Sequence, residues 1–337
     1  MGRATLVGVD IGRSAVKYAV RTAAGIRYGA FLPRFGHGWP DAIPHATGDA
    51  APLIRGRVGD LRFHISPFGK VVEIDVSPRK VSRPIALLLL AAVARAREEA
   101  SVEPGGPTHV VTGLPVAFAQ NDAPVLDQTI QDLLETGVEI FTRDDRPPIR
   151  LTVRDIDLDI VAEGDGIYVD YIRRAPEAAS ATVAVVDIGY ITTHVIHYEA
   201  FRRLSFRTIP IGARQVFELL FHHHLAPWGP WDDDQIHVAA EDLARLGRIR
   251  LPVRLVYPNP DDETVARALR EATETVWSRL HHAILSALPL GGAHTVIVAG
   301  EDAALFGVRE RWPAAHVPPD PRWAQTRGYL ALAEELS

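Results

Sequence analysis

The sequence predicts an α/β protein made of two similar domains. Its 337 residues are enough for two domains of ordinary size. Each half of the chain contains a short apolar strand, a tight Asp-Ile-Gly turn and two further strand-like runs, with long helices after them. The tripeptide occurs at Asp10–Gly12 and again at Asp187–Gly189. The simplest explanation of this repeated layout is an internal duplication of one α/β unit.

The elements of the first half follow from apolar alternation and from Gly and Pro at the boundaries. The first three strands are predicted to form an antiparallel meander, and the Pro-, Gly- and His-rich stretch Pro33–Pro52 to be irregular. Pro84 marks a helix start and Gly137 a helix end. The predicted strands are Thr5–Asp10, Ala15–Arg21, Gly25–Leu32, Arg57–Ser66, Lys70–Val76, His109–Thr112, Val138–Thr142, Ile149–Arg154 and Ile156–Ala162. The predicted helices are Ile85–Ala100, Asn121 or Asp122 to Glu135, and Gly166–Arg173.

The second half repeats the meander and then becomes mainly helical. The stretch Val183–Tyr198 predicts one strand before its glycine and one after it, and Phe201–Pro210 predicts a third. A buried strand is expected at His294–Ala299, followed by Gly300. The predicted helices are Ala213–His224, Asp234–Leu246, Glu263–Leu288, a helix from Gly300 through Arg311, and Trp323–Leu336. Asp232 to Asp234 are predicted to cap the second of these helices.

The composition excludes several kinds of protein. A net charge of −6 argues against a dedicated nucleic-acid surface, which needs clustered Lys and Arg. With no cysteine, the chain has neither disulfides nor thiolate metal sites or nucleophiles. No signal peptide precedes the first strand-like run, and the longest apolar block, Ile85–Val93, is too short to span a bilayer. We therefore expect a cytoplasmic protein that binds neither nucleic acid directly nor a membrane.

The two Asp-Ile-Gly turns carry residue types suited to a phosphate and its cation. Glycine lets a backbone approach closely and present N–H groups to an anion. Ser14, Thr192 and Thr193 add hydroxyls, and Lys17 adds a positive charge. A carboxylate at a strand end, in contrast, binds Mg²⁺, mostly through water. A single Asp-x-Gly after a strand is more often an ordinary turn, but two copies facing each other would hold a triphosphate between two domains.

Six motifs in this chain resemble those of the actin-like ATPases and occur in the same order. Within that family, the chain resembles the bacterial plasmid-segregation branch of the ParM/StbA type. The resemblance covers nearly the whole chain, and VVDIGYITT is its most specific motif. The motifs are DIGRSAVK at 10–17, TGLPVAF at 112–118, VAEGDG at 161–166, VVDIGYITT at 185–193, IPIGARQVFELL at 209–220 and TVIVAGEDAALF at 295–306.

The resemblance implies the fold and its division. It implies a duplicated, ribonuclease H-like α/β fold in which two domains flank a nucleotide cleft. Domain I would be residues 1–165, with a C-terminal helix at 320–337 packing back on it, and domain II would be residues 166–319.

The resemblance also implies roles for individual residues. Asp10 and Asp187 would hold Mg²⁺ mostly through water and take part in catalysis, while Glu163 would orient and polarise the attacking water. Lys17 would neutralise the β- and γ-phosphates. Gly12 and Gly189 would bind the nucleotide through their backbone amides. The other residues on the phosphates would be Arg13, Ser14, Tyr190, Thr192 and Thr193. The residues on the adenosine side would be Gly212, Gly300 and Glu301.

Several positions leave a second interpretation open. Glu163 could be a surface turn residue, and Lys17 could lie on a solvated strand face. Arg13 could reach the γ-phosphate or project into solvent. Because neighbouring residues alternate along a strand, one of the two threonines is expected to be structural. His222 to His224 could suggest a metal site, but consecutive helical residues point in different directions, so a surface cluster is expected.

Three residues depart from the family pattern. Glu301 and Asp302 follow Gly300 where the family has consecutive glycines, and two carboxylates near an α-phosphate repel it unless they point away or are screened. His194 stands where the family often has Asp, and histidine is a poor Mg²⁺ ligand.

The function implied by the resemblance is that of an ATPase, or GTPase, which uses Mg²⁺ and polymerises head-to-tail into filaments. A DNA-binding adaptor protein would connect such filaments to plasmid DNA. Two alternatives remain from the sequence: a small-molecule kinase of the same superfamily, and a nucleotide-binding regulator with little turnover.

Overall fold

The computed structural model describes residues 4–39, 54–66, 70–71, 81–101, 106–143, 146–228, 231, 236, 261–288 and 295–337. The chain divides into two compact units. Unit 1 is Met1–Arg174 together with Trp323–Ser337, and unit 2 is Ala175–Arg322. The chain therefore leaves unit 1, forms unit 2 and returns to unit 1.

The central sheet of unit 1 has five strands in the order β11-β8-β1-β2-β3. Its first three strands form the predicted antiparallel meander, while β1, β8 and β11 are parallel to one another. Strand β8 is buried along its full length, as expected for a parallel strand covered on both faces. The strands are β1 (Thr5–Ile11), β2 (Val16–Thr22), β3 (Gly25–Phe31), β8 (Thr108–Leu114) and β11 (Ile156–Ala162).

A second sheet of unit 1 has six strands in the order β10-β9-β5-β6-β4-β7. Two sequence predictions are wrong here. The run Arg57–Ser66 is not one strand, because Gly59 adopts a φ of 55° and turns the chain into a hairpin. Strand β4 lies within the stretch predicted to be irregular. The strands are β4 (Arg34–His37), β5 (Ile54–Val58), β6 (Leu61–Ile65), β7 (Lys70–Val71), β9 (Val138–Phe141) and β10 (Ile149–Leu151). Residues 40–52 and 72–76 of the predictions lie outside the described residues.

Four helices of unit 1 are described: α1 (Arg83–Glu99), α2 (Ala119–Thr136), α3 (Asp165–Arg174) and α7 (Ala324–Leu336). Helix α1 begins at Arg83 with Pro84 in its first turn, as predicted, and Gly137, with a φ of 84°, ends α2. The predicted cap of α2 is wrong: the helix begins at Ala119, and Asp122 is buried within its first turn. A 3-10 turn at Val153–Asp155 shortens the predicted strand Ile149–Arg154. No helix in the described part of the chain is long and apolar enough to cross a bilayer.

The C-terminal helix α7 packs into a groove lined by glycines. A Cβ atom on Gly328 would lie 1.7 Å from the carbonyl oxygen of Gly166 in α3. A Cβ atom on Gly8 of β1 would lie 2.4 Å from the carbonyl oxygen of Thr326. Arg327 of α7 also forms a salt bridge of 2.9 Å with the buried carboxylate of Asp170 in α3. Close backbone packing, together with a largely desolvated ion pair, thus fixes α7 on unit 1.

Unit 2 contains a four-stranded sheet in the order β14-β13-β12-β15. The sheet packs on α4 and α5 around one apolar cluster. The strands are β12 (Thr182–Ile188), β13 (Thr193–Glu199), β14 (Arg202–Ile209) and β15 (Thr295–Ala299), and the helices are α4 (Ala213–Leu219), which continues as a π-helical turn at Leu220–His224, α5 (Asp262–Ala287) and α6 (Val308–Arg311).

The helix predicted from Gly300 through Arg311 is mostly wrong. Residues 301–307 form turns, and only the last four residues of the prediction are helical. Two further predictions lie outside the described residues, apart from Ile236. They are the cap at Asp232 to Asp234 and the helix Asp234–Leu246.

A buried histidine makes the stability of unit 2 depend on pH. His197 of β13 is buried, and its Nδ1 atom lies 2.7 Å from the hydroxyl of Ser205. Burial lowers the pKa of His197 below its ordinary value of 6.5. The unfolded chain therefore takes up a proton near pH 6.5 that the folded chain takes up only at lower pH.

We expect the free energy of unfolding to fall as pH decreases from 7 to 5, and His197→Gln to reduce this dependence. Urea unfolding at several pH values measures the effect. His282→Gln changes an exposed histidine, so it serves as the control. If both variants show the same pH dependence as the parent chain, the contribution of His197 is refuted.

Candidate functional site

The two Asp-Ile-Gly turns have the same hairpin register. In the β1–β2 hairpin Asp10 pairs with Lys17, and in the β12–β13 hairpin Asp187 pairs with His194. Both pairs are separated by the same number of residues, and a parallel strand flanks each first strand, β8 in one sheet and β15 in the other. This correspondence extends beyond the shared tripeptide and supports the internal duplication. It also places His194 at the position equivalent to Lys17.

Each glycine closes its turn with its own amide. The N–H of Gly12 donates to the carbonyl of Ala15 at 2.9 Å, and the N–H of Gly189 donates to the carbonyl of Thr192 at 3.0 Å. The sequence resemblance implied that these two amides are presented to a phosphate, but the structure places them inside the loops. The glycines instead permit a tight turn, since a Cβ atom on Gly12 would lie 2.9 Å from the Ala15 carbonyl oxygen.

The second turn rests on the amino terminus of helix α4. Ala213 and Arg214 donate their N–H groups to the carbonyls of Gly189 and Tyr190, at 3.2 and 2.7 Å. In a planar trans peptide the C=O and the following N–H point in opposite directions. The amides of residues 190 and 191 therefore point away from α4. They are the better candidates for contact with a phosphate than the amide of Gly189.

Gly212 lies beneath this turn rather than beside an open surface. A Cβ atom at Gly212 would come within 2.4 Å of the carbonyl oxygen of Gly189. The residue was expected to line the adenosine side of a nucleotide. Its close approach instead lets α4 reach the carbonyl groups of the loop.

Lys17 and Asp10 form a buried ion pair. The Nζ atom lies 2.9 Å from Oδ2 of Asp10, and the two side chains are 5% and 13% exposed. The interpretation of Lys17 as part of a solvated strand face is therefore wrong. A buried ammonium beside a carboxylate at a strand end supplies the charges needed next to a phosphate and its cation.

Glu163 is buried at the carboxyl edge of the same sheet. Its N–H donates to the carbonyl of Leu114 at the end of β8, at 2.7 Å, and Gly164 turns the chain with a φ of 92°. Gly164 in turn donates to the side-chain oxygen of Gln325 in α7. The interpretation of Glu163 as a surface turn residue is wrong. Strand β8 lies between β1 and β11, so Asp10 and Glu163 lie at the carboxyl ends of two parallel strands that are about 10 Å apart.

Gly300 supports the carboxylate of Asp187. Strand β15 is parallel to β12 and pairs Ala299 with Asp187. Gly300 follows with a φ of 105°, and a Cβ atom there would lie 2.6 Å from Oδ1 of Asp187 and 2.3 Å from the carbonyl oxygen of Ile188. Only glycine fits this position without displacing the aspartate.

The acidic residue after Gly300 is partly neutralised. Glu301 is 7% exposed and lies 3.4 Å from a guanidinium nitrogen of Arg322. This ion pair screens the charge of Glu301, one of the two carboxylates that follow Gly300.

The two threonines of the second turn have different surroundings. Thr193 is fully buried and donates its hydroxyl to the carbonyl of Ile211 at 2.8 Å. Thr192 lies in the turn itself, with its hydroxyl 3.2 Å from Nε2 of His194. The Nδ1 atom of His194 lies 3.1 Å from the hydroxyl of Thr208. Thr193 is therefore the structural threonine, and Thr192 is the one available to a ligand.

Comparison with known proteins gives a fold. No protein-family model matches the sequence, and no match was found among curated proteins. Among solved structures, the chain is similar to ParM in a 15-stranded filament from Clostridium botulinum, with a TM-score of 0.72, 13% identity, and coverage of 99% of this chain and 100% of that one. It is also similar to an archaeal actin homologue, with a TM-score of 0.71, 15% identity, and coverage of 98% and 99%. The same homologue in complex with ADP gives a TM-score of 0.67 and 16% identity over 98% and 99% of the two chains.

The chain has an actin-like fold of the ParM type. The similarity extends over nearly the full length of both chains, so the whole chain, and not one unit of it, has this fold. The predicted fold class is confirmed.

The actin-like fold brings some of the predicted site residues together within each unit. Asp10, Lys17 and Glu163 share one sheet edge in unit 1, and Asp187, Gly300 and Glu301 share another in unit 2. Arg13 and Ser14 are half-buried in the first turn. Tyr190 differs from these half-buried residues because its ring is buried in the apolar cluster of unit 2, near Phe217. The ring therefore anchors the second turn to the core of unit 2.

The histidine triplet lies apart from these residues. His222 and His223 are exposed, and His224 lies 3.4 Å from Glu271 of α5. Within the described ranges, no three His, Asp or Glu side chains lie close enough together to hold a metal ion by themselves.

Sequence reasoning missed two residues that support the site. Gln325 holds the turn beside Glu163, and Arg322 pairs with Glu301. Both lie at least 16 residues after the last motif, which ends at Phe306, and neither residue type in the C-terminal segment carries a recognisable signal.

Proposed function

We propose that the chain is an actin-like nucleoside triphosphatase that binds Mg-ATP, or Mg-GTP, in a cleft between its two domains and polymerises into filaments. The observation that carries the proposal is the pair of matched hairpins, which put one aspartate in each unit at the end of a strand, in the same register, beside a tight glycine turn. The proposed domains are residues 1–165 with 320–337 and residues 166–319, whereas the two compact units change at Arg174/Ala175 and at Arg322/Trp323.

The residues present suit a magnesium nucleotide. Asp10 and Asp187 would hold the Mg²⁺ mostly through water, and the bound ion would neutralise charge on the phosphates. Lys17 would bind the β- and γ-phosphates, since its buried ammonium is already at the strand end. Glycine at residues 12 and 189 keeps both turns tight, since a Cβ atom there would lie 2.9 and 3.1 Å from a carbonyl oxygen of the same turn.

Glu163 would act on the attacking water. A carboxylate can accept a hydrogen bond from water and orient it in line with the γ-phosphate. Two hydrogen bonds fix the backbone at this residue. The N–H of Glu163 donates to the Leu114 carbonyl, and the N–H of Gly164 donates to the Gln325 side chain. Removing the carboxylate should therefore slow hydrolysis while leaving nucleotide binding largely intact.

Filament formation is proposed from the structural similarity. One of the similar structures is a ParM filament. Head-to-tail contacts that do not close on themselves give such filaments, and a nucleotide that bridges two domains would control the contact by fixing their angle. A DNA-binding adaptor would connect the filament to its cargo, because the net charge of −6 disfavours direct binding to DNA.

Negative-stain electron microscopy and phosphate release test the proposal. We expect filaments with Mg-ATP or Mg-GTP, loss of nucleotide dependence in Asp187→Ala, and at least about a 100-fold lower hydrolysis rate with retained filaments in Glu163→Gln. Asp157→Ala removes an exposed aspartate of β11 and should behave like the parent chain.

Three outcomes contradict the proposal in different ways. Nucleotide binding without filaments or turnover would favour a regulator. Phosphate transfer to a small acceptor would favour a kinase. Absence of binding in the parent chain would refute the nucleotide site itself.

A further inference from the structure

Strand β14 is an exposed edge strand. It is the outermost strand of the unit 2 sheet, and within the described residues no other strand pairs with its free side. Its first seven residues, 202–208, are all exposed, whereas Ile209 is buried. The equivalent strand of unit 1, β3, is mostly half-buried, and its Tyr28 ring lies 5.2 Å from Trp323. The exposure of β14 is thus not a general property of the duplicated hairpin.

The hairpin of β13 and β14 carries large apolar side chains on its surface. Phe201 is 63% exposed, and Leu204 and Phe206 are each 45% exposed. Single exposed apolar residues are normal on a globular protein, but three within six residues form a patch, and patches of this kind often mark interaction sites.

The turn of this hairpin is built at a conformational cost. Ala200 and Phe201 occupy its two central positions with φ values of 47° and 62°. Two-residue turns of this form usually contain Asn-Gly, because other residues are strained at positive φ. A strained aromatic residue at an exposed tip indicates a role other than stability of the turn. A β-bulge at Leu204 further alters the direction of the side chains along the strand.

The charge of this edge indicates its partner. Arg202, Arg203 and Arg207 lie within six residues, on a chain whose net charge is −6. Pairing of β14 with β14 of a second copy would bring arginines close together, and like charges across strands are unfavourable. An acidic strand would instead place carboxylates beside the guanidinium groups. A lipid surface could use the charges and Phe201, but it would not use the backbone groups at the edge of the sheet.

We propose that the edge of β14 binds an extended acidic segment of a different protein, which adds to the sheet as a fifth strand. Backbone hydrogen bonds to residues 202–208 supply part of the affinity. Leu204 and Phe206 contact apolar residues of the segment, and the arginines pair with its carboxylates. This site does not use the nucleotide-binding residues, and it stands or falls separately from the proposed function.

A designed peptide tests the proposal on the full chain. The probe is a fluorescent ten-residue peptide of alternating Glu and Val, and the readout is fluorescence anisotropy at low and moderate salt. A second peptide has the same side chains but N-methylated amides at alternate residues, so it cannot form the strand hydrogen bonds. We expect the first peptide to bind at least about tenfold more tightly than the second, with affinity falling as salt increases.

Matched variants separate binding from folding. Arg202→Glu and Phe206→Ser should each weaken peptide binding at least about tenfold, whereas Arg27→Glu, on the exposed surface of the equivalent strand β3, should not. The double change Ala200→Asn with Phe201→Gly suits the turn, so it should raise the unfolding temperature while it weakens binding. Ala200→Asn by itself should raise the unfolding temperature and leave binding unchanged.

Four results would overturn the proposal. The first two are equal binding of the two peptides and no binding at millimolar peptide concentration. The third is binding to phosphatidylserine vesicles but not to the peptide. The fourth is self-association of the chain that Arg202→Glu abolishes. The last two would assign the edge to a membrane or to a second copy of the chain.

Discussion

Replacing Gly328 with alanine is expected to lower the free energy of unfolding by about 3 kcal/mol, which is the upper end for overpacking. The new Cβ atom would lie 1.7 Å from the Gly166 carbonyl oxygen. Both groups belong to helix backbones, so the collision can be relieved only by moving α7 away from α3. The salt bridge between Arg327 and Asp170 would weaken as a consequence.

The sign of the change distinguishes packing from helix propensity. At a solvent-exposed helix position, glycine to alanine stabilises by about 1 kcal/mol. Urea unfolding should therefore show stabilisation if the groove is unimportant and destabilisation if it is close-packed. Glu335→Ala, at an exposed position of the same helix, should change stability by less than about 0.5 kcal/mol.

Replacing Gly300 with alanine is expected to lower the stability of unit 2 and to weaken the proposed binding of Mg-nucleotide. The added Cβ atom would lie 2.3 Å from the Ile188 carbonyl oxygen and 2.6 Å from Oδ1 of Asp187. The φ of 105° adds backbone strain for any residue other than glycine. We expect a loss of about 2–3 kcal/mol of stability and at least about a tenfold loss of nucleotide affinity, because the aspartate must move.

Gly25→Ala is the matched control for this substitution. Gly25 has a φ of 120°, but a Cβ atom there would meet nothing within 4 Å. It therefore reports the cost of backbone strain without a collision. Chemical unfolding and calorimetric titration with Mg-ATP should show a moderate loss of stability and unchanged affinity. Equal affinities for the Gly300 variant and the parent chain would contradict the role assigned to Gly300.

Local sequence patterns were enough to predict the core of both hairpins. Short apolar strands that end in Asp-Ile-Gly specify a turn and a return strand without help from the rest of the chain. The meander in each half of the chain, the helix with Pro84 in its first turn and the end of α2 at Gly137 were predicted correctly for this reason. The resemblance of six motifs then gave the fold class.

Errors arose where tertiary contacts or backbone conformation overrode the pattern. The run Arg57–Ser66 alternates on both sides of Gly59-Asp60, and this turn signal was not used; the pairing of Val58 with Leu61 makes these two residues the loop of a hairpin. Residues 301–307 have helical propensity, but several carbonyl and amide groups there bond across turns. The hydroxyl of Thr193 bonds to the carbonyl of Ile211, and the turn after Glu163 bonds to Gln325. Both partners are distant in sequence from the residues that they hold. Charge and hydroxyl content predicted which residue types belong to a phosphate site, but not which of two neighbours would be buried.

The position of α7 in unit 1 has a consequence for biosynthesis. This helix is the last one in the chain, yet it packs against β1, the first strand. A ribosome therefore produces all of unit 2 before the helix that fills the glycine groove emerges. Unit 2 is continuous in sequence and can acquire its core earlier. Unit 1 thus remains incomplete until α7 has been translated, and the position that α7 occupies on β1 and α3 stays exposed until then.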